Sequence, residues 1–67
     1  MKRYLSVNVS KGYMTDGDGN EMAKPAGLTD IEFVELIVEN YTREGWTEDE
    51  AAEVKGEEYL LIFYRED

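Results

Sequence analysis

Residues 28–46 read LTDIEFVELIVENYTREGW, the stretch around which the rest of the chain is organised. Thr29 is a good N-cap, and Glu32 three positions later completes a capping box, in which each side chain accepts a hydrogen bond from the other residue's backbone N–H. Gly45 ends the pattern, because glycine adopts the left-handed backbone conformation at no steric cost. The stretch therefore predicts one long helix over about residues 30–44.

The predicted helix has an apolar side and an acidic side. At about 100° per residue, five apolar side chains share one stripe, with Phe33 at its margin. The members of the stripe are Ile31, Val34, Ile37, Val38 and Tyr41. Glu32, Glu35 and Glu39 fall together on the opposite side. We expect the apolar side to pack on a sheet and the acidic side to face solvent.

Two segments carry strand patterns. In residues 2–11, Leu5, Val7 and Val9 alternate with polar or more exposed positions, which is typical of a half-buried strand. Residues 58–65 are apolar on both sides, which is typical of a central strand covered on both faces. Because one long helix covers only one face of a sheet, the other face should remain partly uncovered.

Residues 16–20, Asp-Gly-Asp-Gly-Asn, form the clearest turn signal, since Asp-Gly steps supply the positive φ angles of tight hairpins. We expect the first strand to continue through residues 12–15 after a bend, and a short strand to return over residues 21–24. The spacing Asp-x-Asp-x-Asn also opens an EF-hand loop. However, Glu21 and Gly27 stand where such a loop needs its Gly and its bidentate Glu. A hairpin turn is therefore the prediction, and an incidental cation site is the alternative.

Residues 47–54 carry two conflicting signals. Thr47 and Glu50 form a second capping box, which favours a short helix. Alternation of Glu50 with Ala52 and Val54 favours an edge strand instead. We favour a helical turn followed by a short extended piece.

The elements combine into a single α+β domain over residues 1–67. A small, mainly antiparallel sheet of three to four strands carries the helix on one face, and the last strand lies near the first. A chain this short buries only about 60% of its unfolded surface, so oligomerisation is one route to stability. Cys and His are absent, which excludes disulfides and thiolate or imidazole zinc sites.

Charge is the outlying feature of the composition. Sixteen acidic residues face seven basic ones, for a net charge of −9. Such a field repels nucleic acid and anionic membranes and attracts basic surfaces, although solubility alone can also explain it. Ser6 and Ser10 have no identifiable base, and no His or Cys is present for catalysis. We therefore expect a cytoplasmic protein that is not an enzyme and has no cofactor, metal, membrane or direct nucleic-acid contact.

The carboxylates are the candidate partner-binding residues. Glu32, Glu35 and Glu39 are neighbours about 5–6 Å apart along the helix, and Arg43 is placed to pair with Glu39. A second acidic cluster follows the helix. Its members are Glu48, Asp49, Glu50, Glu53, Glu57 and Glu58. The alternative for both groups is an ordinary solvated surface.

Aromatic residues of the last strand are the second candidate surface. The chain has eight aromatic residues, which is more than one small core needs, and Tyr is a residue type that anchors interfaces. Those of the last strand that we expect at an interface are Tyr59, Phe63 and Tyr64. An uncovered sheet face bearing them would suit a partner or a second copy, with Tyr59, Leu61 and Phe63 buried in the dimer. Packing inside the core is the alternative for each of these residues.

In its length, its net charge of −9, its lack of Cys and His and its two acidic clusters, the chain resembles the small inhibitor proteins of phages, above all the anti-CRISPR proteins. Several of that group act as DNA mimics. The resemblance implies a non-enzymatic inhibitor that occupies the basic nucleic-acid site of an effector complex in the cytoplasm of a bacterial host. It assigns no residue a role. The alternative is a small structural or regulatory module that homodimerises through an exposed aromatic sheet face.

Overall fold

The structure, a computed structural model, describes residues 1–49, 53–55 and 58–66. Within these residues the chain forms six strand segments and one helix. In chain order they are β1 (Lys2–Ser10), β2 (Tyr13–Asp16), β3 (Glu21–Ala23), α1 (Asp30–Arg43), β4 (Thr47–Glu48), β5 (Glu53–Lys55) and β6 (Glu58–Glu66). Every strand pair is antiparallel, which confirms the α+β class.

The sheet has the strand order β3-β2-β1-β6-β4, and β5 also pairs with β6. The two longest strands, β1 and β6, form its centre and pair along their whole length, from Lys2 opposite Glu66 to Ser10 opposite Glu58. The predicted neighbourhood of the first and last strands is confirmed. Because β1 occupies one edge of β6, β4 and β5 share the other edge. The predicted three to four strands are therefore too few.

The chain reverses earlier than predicted. Lys11 and Gly12 both have positive φ angles, 51° and 74°, as the two central residues of a type I′ hairpin require. The strand β2 then runs back along β1, with Tyr13 opposite Ser10. The prediction that the first strand continues through residues 12–15 after a bend is wrong. The turn over residues 16–20 and the short returning strand β3 are confirmed.

The helix α1 begins and ends through the predicted local interactions. The Thr29 hydroxyl accepts from the Glu32 backbone N–H at 3.2 Å, and the Glu32 carboxylate accepts from the Thr29 backbone N–H at 2.9 Å. At the other end Gly45 adopts a φ of 94°. Its N–H donates to the Thr42 carbonyl and the Trp46 N–H to the Tyr41 carbonyl, which is a complete Schellman motif.

The buried face of α1 is rotated from the predicted stripe. Phe33 and Ile37 are completely buried, whereas Ile31 is 64% exposed. Val34 and Val38 are only partly buried against the core. The prediction that placed Phe33 at the margin and Ile31 in the stripe is wrong, because the large ring of Phe33 gains more from burial and takes the centre of the helix–sheet contact.

One core fills the space between α1 and one face of the sheet. Its members are Leu5, Val7, Val9, Met14, Phe33, Ile37, Tyr41, Trp46, Leu61 and Phe63. The rings of Tyr41 and Phe63 stack with centroids 4.9 Å apart. The side chains of α1 therefore pack against one face of the sheet.

The segment after the helix is extended where it is described. The helical turn favoured at Thr47 is wrong, because residues 47–48 form the strand β4 along the edge of β6 that β1 leaves open. Hydrogen bonding to that edge satisfies backbone groups that a short isolated helix would leave to solvent. The short extended piece is confirmed as β5. Glu50, the other half of the second capping box, lies outside the described residues.

The rotation of the buried face predicts different responses from two isoleucines on one helix. Ile37→Val should lower the free energy of unfolding by about 0.5–1.5 kcal/mol, because it removes a fully buried methylene. Ile31→Val should change it by less than about 0.5 kcal/mol. Urea unfolding, followed by circular dichroism, measures the free energy of unfolding of both variants. Because the substitution is the same in both, the change in helix propensity is equal and cancels when the two are compared. Equal losses would contradict the rotated face.

Candidate functional site

The predicted carboxylates do not form one patch. Glu32, Glu35 and Glu39 are exposed on the side of α1 that faces away from the sheet. Strand side chains alternate between the two faces, and Phe63 of β6 is buried under α1. Glu58, five residues earlier in β6, therefore points to the opposite face.

Glu48 and Glu58 are also separated along the sheet. Glu48 lies opposite Phe63, so five residues of β6, about 17 Å, lie between it and Glu58. The prediction that they join one acidic cluster is wrong. Asp49, next to Glu48, is half-buried and its backbone N–H donates to the Ile62 carbonyl at 2.8 Å. Among the other predicted members, Glu50 and Glu57 lie outside the described residues, and only the backbone is described for Glu53.

Two of the three helix acids have structural roles. Hydrogen bonds from the Thr29 backbone N–H and hydroxyl hold the pKa of Glu32 below its ordinary value, so this carboxylate stays ionised. Glu39 pairs with Arg43, as the spacing predicts. Among the described residues, Glu35 has neither a capping hydrogen bond nor a basic side chain paired with it. The acidic side of α1 is thus fixed in place and only partly neutralised.

Several basic side chains are engaged within the protein. Lys24 pairs with Asp30 at 3.1 Å. The Lys2 ammonium lies 4.7 Å from the centre of the Tyr64 ring. The Arg65 guanidinium lies 4.4 Å from the centre of the Trp46 ring, and it donates to the Glu44 carbonyl. Counting the Arg43 pair, four of the basic side chains that the structure describes have a partner in the protein. Each ion pair neutralises one acid together with one base, so the excess of nine negative charges remains.

The predicted aromatic interface is wrong in part. Phe63 is 0% exposed and Leu61 is 3% exposed, because both face α1. Tyr59 is partly buried against the same core. All three side chains belong to the covered face. Phe63 and Leu61 are not available to a partner, and Tyr59 is accessible only in part. Tyr64 has the opposite orientation and stays a candidate.

The uncovered side of the sheet carries a different set of side chains. We call its central part the open face, formed by Tyr4, Ser6, Asn8, Leu60, Ile62 and Tyr64. Tyr4 is 60% exposed, and its ring centroid lies 6.2 Å from that of Tyr64 directly opposite. Tyr13, 45% exposed, extends the surface onto β2. The alternation of β1 was enough to place Tyr4 here. Leu60 and Ile62 were missed because β6 is apolar on both sides.

The carboxylate of Asp16 ties the β2–β3 hairpin to the helix. One oxygen accepts from the backbone N–H groups of Asp18 and Asn20, both at 2.9 Å. The other accepts from the Asn20 side-chain amide at 3.0 Å and from the Tyr41 hydroxyl at 2.5 Å. Partial burial acts to raise the pKa of Asp16, but these hydrogen bonds outweigh it and the pKa lies below its ordinary value. Burial, together with the Asp16 carboxylate, strongly raises the pKa of Tyr41.

The geometry of Asp16 favours the turn over the calcium alternative. Both carboxylate oxygens accept two hydrogen bonds each from the protein, so a cation would have to displace them. In the part of the chain that the structure describes, no group of three or more His, Cys, Asp or Glu residues is placed to hold a metal ion.

A small cleft lies between α1 and the β2–β3 hairpin. It has a volume of about 220 Å³ and is lined by Met14, Asn20, Met22, Ile37, Asn40, Tyr41 and Glu44. Sites for small-molecule ligands usually measure about 300–1,000 Å³, so this cleft is small for a cofactor. Its size and its mixed lining of apolar and polar side chains fit a single side chain of a partner better.

The Asp16 hydrogen bonds predict a defined acid sensitivity. Asp16→Asn should lower the free energy of unfolding at neutral pH by about 2 kcal/mol, because hydrogen bonds to a charged group contribute about 1.5–3 kcal/mol. The folded-state pKa lies below the ordinary value of 3.8, so the stabilisation is present above that value and is lost as the pH falls through the folded-state pKa.

The measurement is urea unfolding of the wild type and Asp16→Asn at about pH 7 and about pH 3. The difference between them should shrink at the lower pH. Tyr41→Phe is the control, since it removes one of the four donors and should cost less than Asp16→Asn. A difference that does not change with pH would show that the carboxylate charge is not what stabilises the turn.

No helix in the described part of the chain is long and apolar enough to cross a membrane. Comparison of the chain with protein-family models, with characterised proteins and with solved structures gave no match.

Proposed function

We propose that the protein is a non-enzymatic inhibitor that occupies the basic nucleic-acid site of a nucleic-acid-binding effector, in the manner of anti-CRISPR DNA mimics. One observation carries the proposal. The net charge is −9 on a chain of 67 residues, so the outward field is negative. Such a field accelerates encounter with a basic surface.

The exposed side of α1 is the best candidate for the mimicking surface. Glu35 and Glu39 follow Glu32 by three and seven positions, so the three carboxylates extend over about 10 Å at 1.5 Å per residue. One strand of DNA presents a phosphate about every 3.4 Å, so three carboxylates over this length approach its charge density. The capping box at the N-terminal end and the Schellman motif at the C-terminal end fix both ends of the helix. Basic side chains aligned for phosphates would therefore meet a rigid row of carboxylates.

Glu48 extends this acidic surface, whereas Glu58 does not. The strand β4 lies against α1, and Glu48 is exposed on it. Glu58 belongs to the other face of the sheet. We therefore assign the mimicking role to the helix acids and Glu48.

A competition experiment tests the proposal. A fluorescent DNA duplex is bound to the heparin-binding protein fraction of a bacterial lysate, and the protein is added. We expect release of the duplex at about 50 mM salt. Direct binding of the protein to the same fraction should weaken as salt is raised to about 200 mM, because the contacts are ionic. Absence of release, or direct binding that does not change with salt, would contradict the proposal.

Two variants of equal charge separate a mimicking surface from bulk charge. Glu35→Gln with Glu48→Gln removes two acids from the proposed surface, and Asp18→Asn with Glu21→Gln removes two from the hairpin at the far edge of the sheet. The first pair should weaken release about tenfold and the second less than about threefold. Equal effects would mean that net charge alone acts and would rule out a specific surface.

A further inference from the structure

The open face is poor in charge on a protein that is rich in it. Sixteen of the 67 residues are acidic, yet none of the six side chains of the open face is charged. The charged groups on this side of the sheet lie around the open face. Glu58 is at one end of β6, Lys2 and Glu66 lie opposite each other at the other end, and Glu21 is three strands away from β6, on β3. Depletion of charge together with exposed aromatic and aliphatic groups marks the central part of protein interfaces. Tyr4, at 60% exposed, is the most prominent of these groups.

The exposed apolar surface is continuous across the two central strands. Tyr4 lies opposite Tyr64, Ser6 opposite Ile62 and Asn8 opposite Leu60. Leu60, Ile62 and Tyr64 are half-buried, which means that the sheet itself covers them only in part. Ser6 and Asn8 of β1 have small side chains, so they leave the neighbouring side chains of Leu60 and Ile62 accessible to a partner. A flat surface of this kind is complementary to another flat sheet.

We propose that the open face binds the open face of a second copy of this chain, so that two sheets pack back to back and α1 lies on the outside of each copy. The contact is isologous, because the same surface serves both copies. The proposal goes beyond the inhibitor function and does not depend on it.

The size of the sheet sets the strength of such a dimer. The six strand segments together have 30 residues, and each residue covers about 3.4 by 4.8 Å, so the sheet face measures about 490 Å². Two such faces bury about 1,000 Å² in total, which is the lower limit for a specific interface and predicts a weak dimer. A surface of this area on so short a chain supplies the additional burial that small domains lack.

Charge identifies a second copy as the occupant. Two chains that each carry −9 repel wherever their acidic surfaces meet, and the open face is where they can approach with least repulsion. A basic partner would gain little from this face, because its central side chains are uncharged. Screening by salt reduces the remaining repulsion and leaves apolar contacts intact. The dimer should therefore tighten as salt rises, which is the opposite of the salt response of an ionic contact with a basic partner.

Sedimentation equilibrium of the wild type at several concentrations and at about 50 and 500 mM NaCl tests the proposal. We expect a species of twice the 7.7 kDa chain mass, with a lower dissociation constant at the higher salt. A wild type that stays monomeric at both salt concentrations up to millimolar protein would overturn the proposal. A dimer that dissociates as salt rises would overturn it too, because its interface would be ionic.

Matched substitutions locate the interface. Ile62→Glu places a carboxylate in the open face and should raise the dissociation constant about 100-fold, whereas Ile31→Glu places the same group on the exposed flank of α1 and should leave it unchanged. Tyr4→Glu repeats the test at a position exposed in the monomer, which keeps the result interpretable if Ile62→Glu impairs folding. Circular dichroism monitors the fold of each variant. Dissociation by Ile31→Glu with no effect of Tyr4→Glu would move the interface to the helix and overturn the proposal.

Discussion

The register between β1 and β6 is the constraint on which the rest of the structure depends. Leu5 lies opposite Phe63 and Val7 opposite Leu61, so the strongly apolar sides of the two strands coincide. A slip of one residue would turn every side chain of one strand to the other face. The register therefore decides which face of the sheet α1 covers. It also decides that Ile62 and its neighbours on the open face remain accessible, so the same pairing defines the core and the candidate interface.

A core on one side of a sheet leaves the rest of a short chain to be held by specific polar contacts. The Asp16 carboxylate connects the β2–β3 hairpin to Tyr41, and the ring of Tyr41 stacks on Phe63 at the centre of the sheet. Arg65 joins the end of β6 to the end of α1 through Trp46 and the Glu44 carbonyl. These contacts use charged groups for structure, and they reduce the number of charges that are available for binding. On the outward side of α1, Glu32 and Glu39 remain exposed in spite of their structural contacts, and Glu35 lies between them.

Features encoded within a few residues were predictable, and features that depend on a distant strand were not. The capping box at Thr29 and the stop at Gly45 involve neighbours in sequence, so both ends of α1 follow from local chemistry. At Thr47 a similar local signal fails, because the open edge of β6 offers the backbone better hydrogen bonding than a short helix does. The hairpin at Lys11 was missed since Lys is an uncommon residue at positive φ. The buried side of β6 was ambiguous because both of its sides are apolar.

The two candidate surfaces have opposite electrostatic requirements, and the fold places them on opposite sides of the sheet. An acidic surface attracts a basic partner only if its charges are not neutralised, and a chain with such charges resists contact with its own copies. A charge-poor surface on the same side would bring the acids of two copies together. The contact between two copies lies on the uncovered face of the sheet. The full thickness of the sheet and of the helix therefore separates this contact from Glu35 and its neighbours. Distance weakens the repulsion between the acids of the two copies, and salt screens exposed charges that are more than about 8–10 Å apart. Self-association and attraction of a basic partner are therefore compatible in one 67-residue chain.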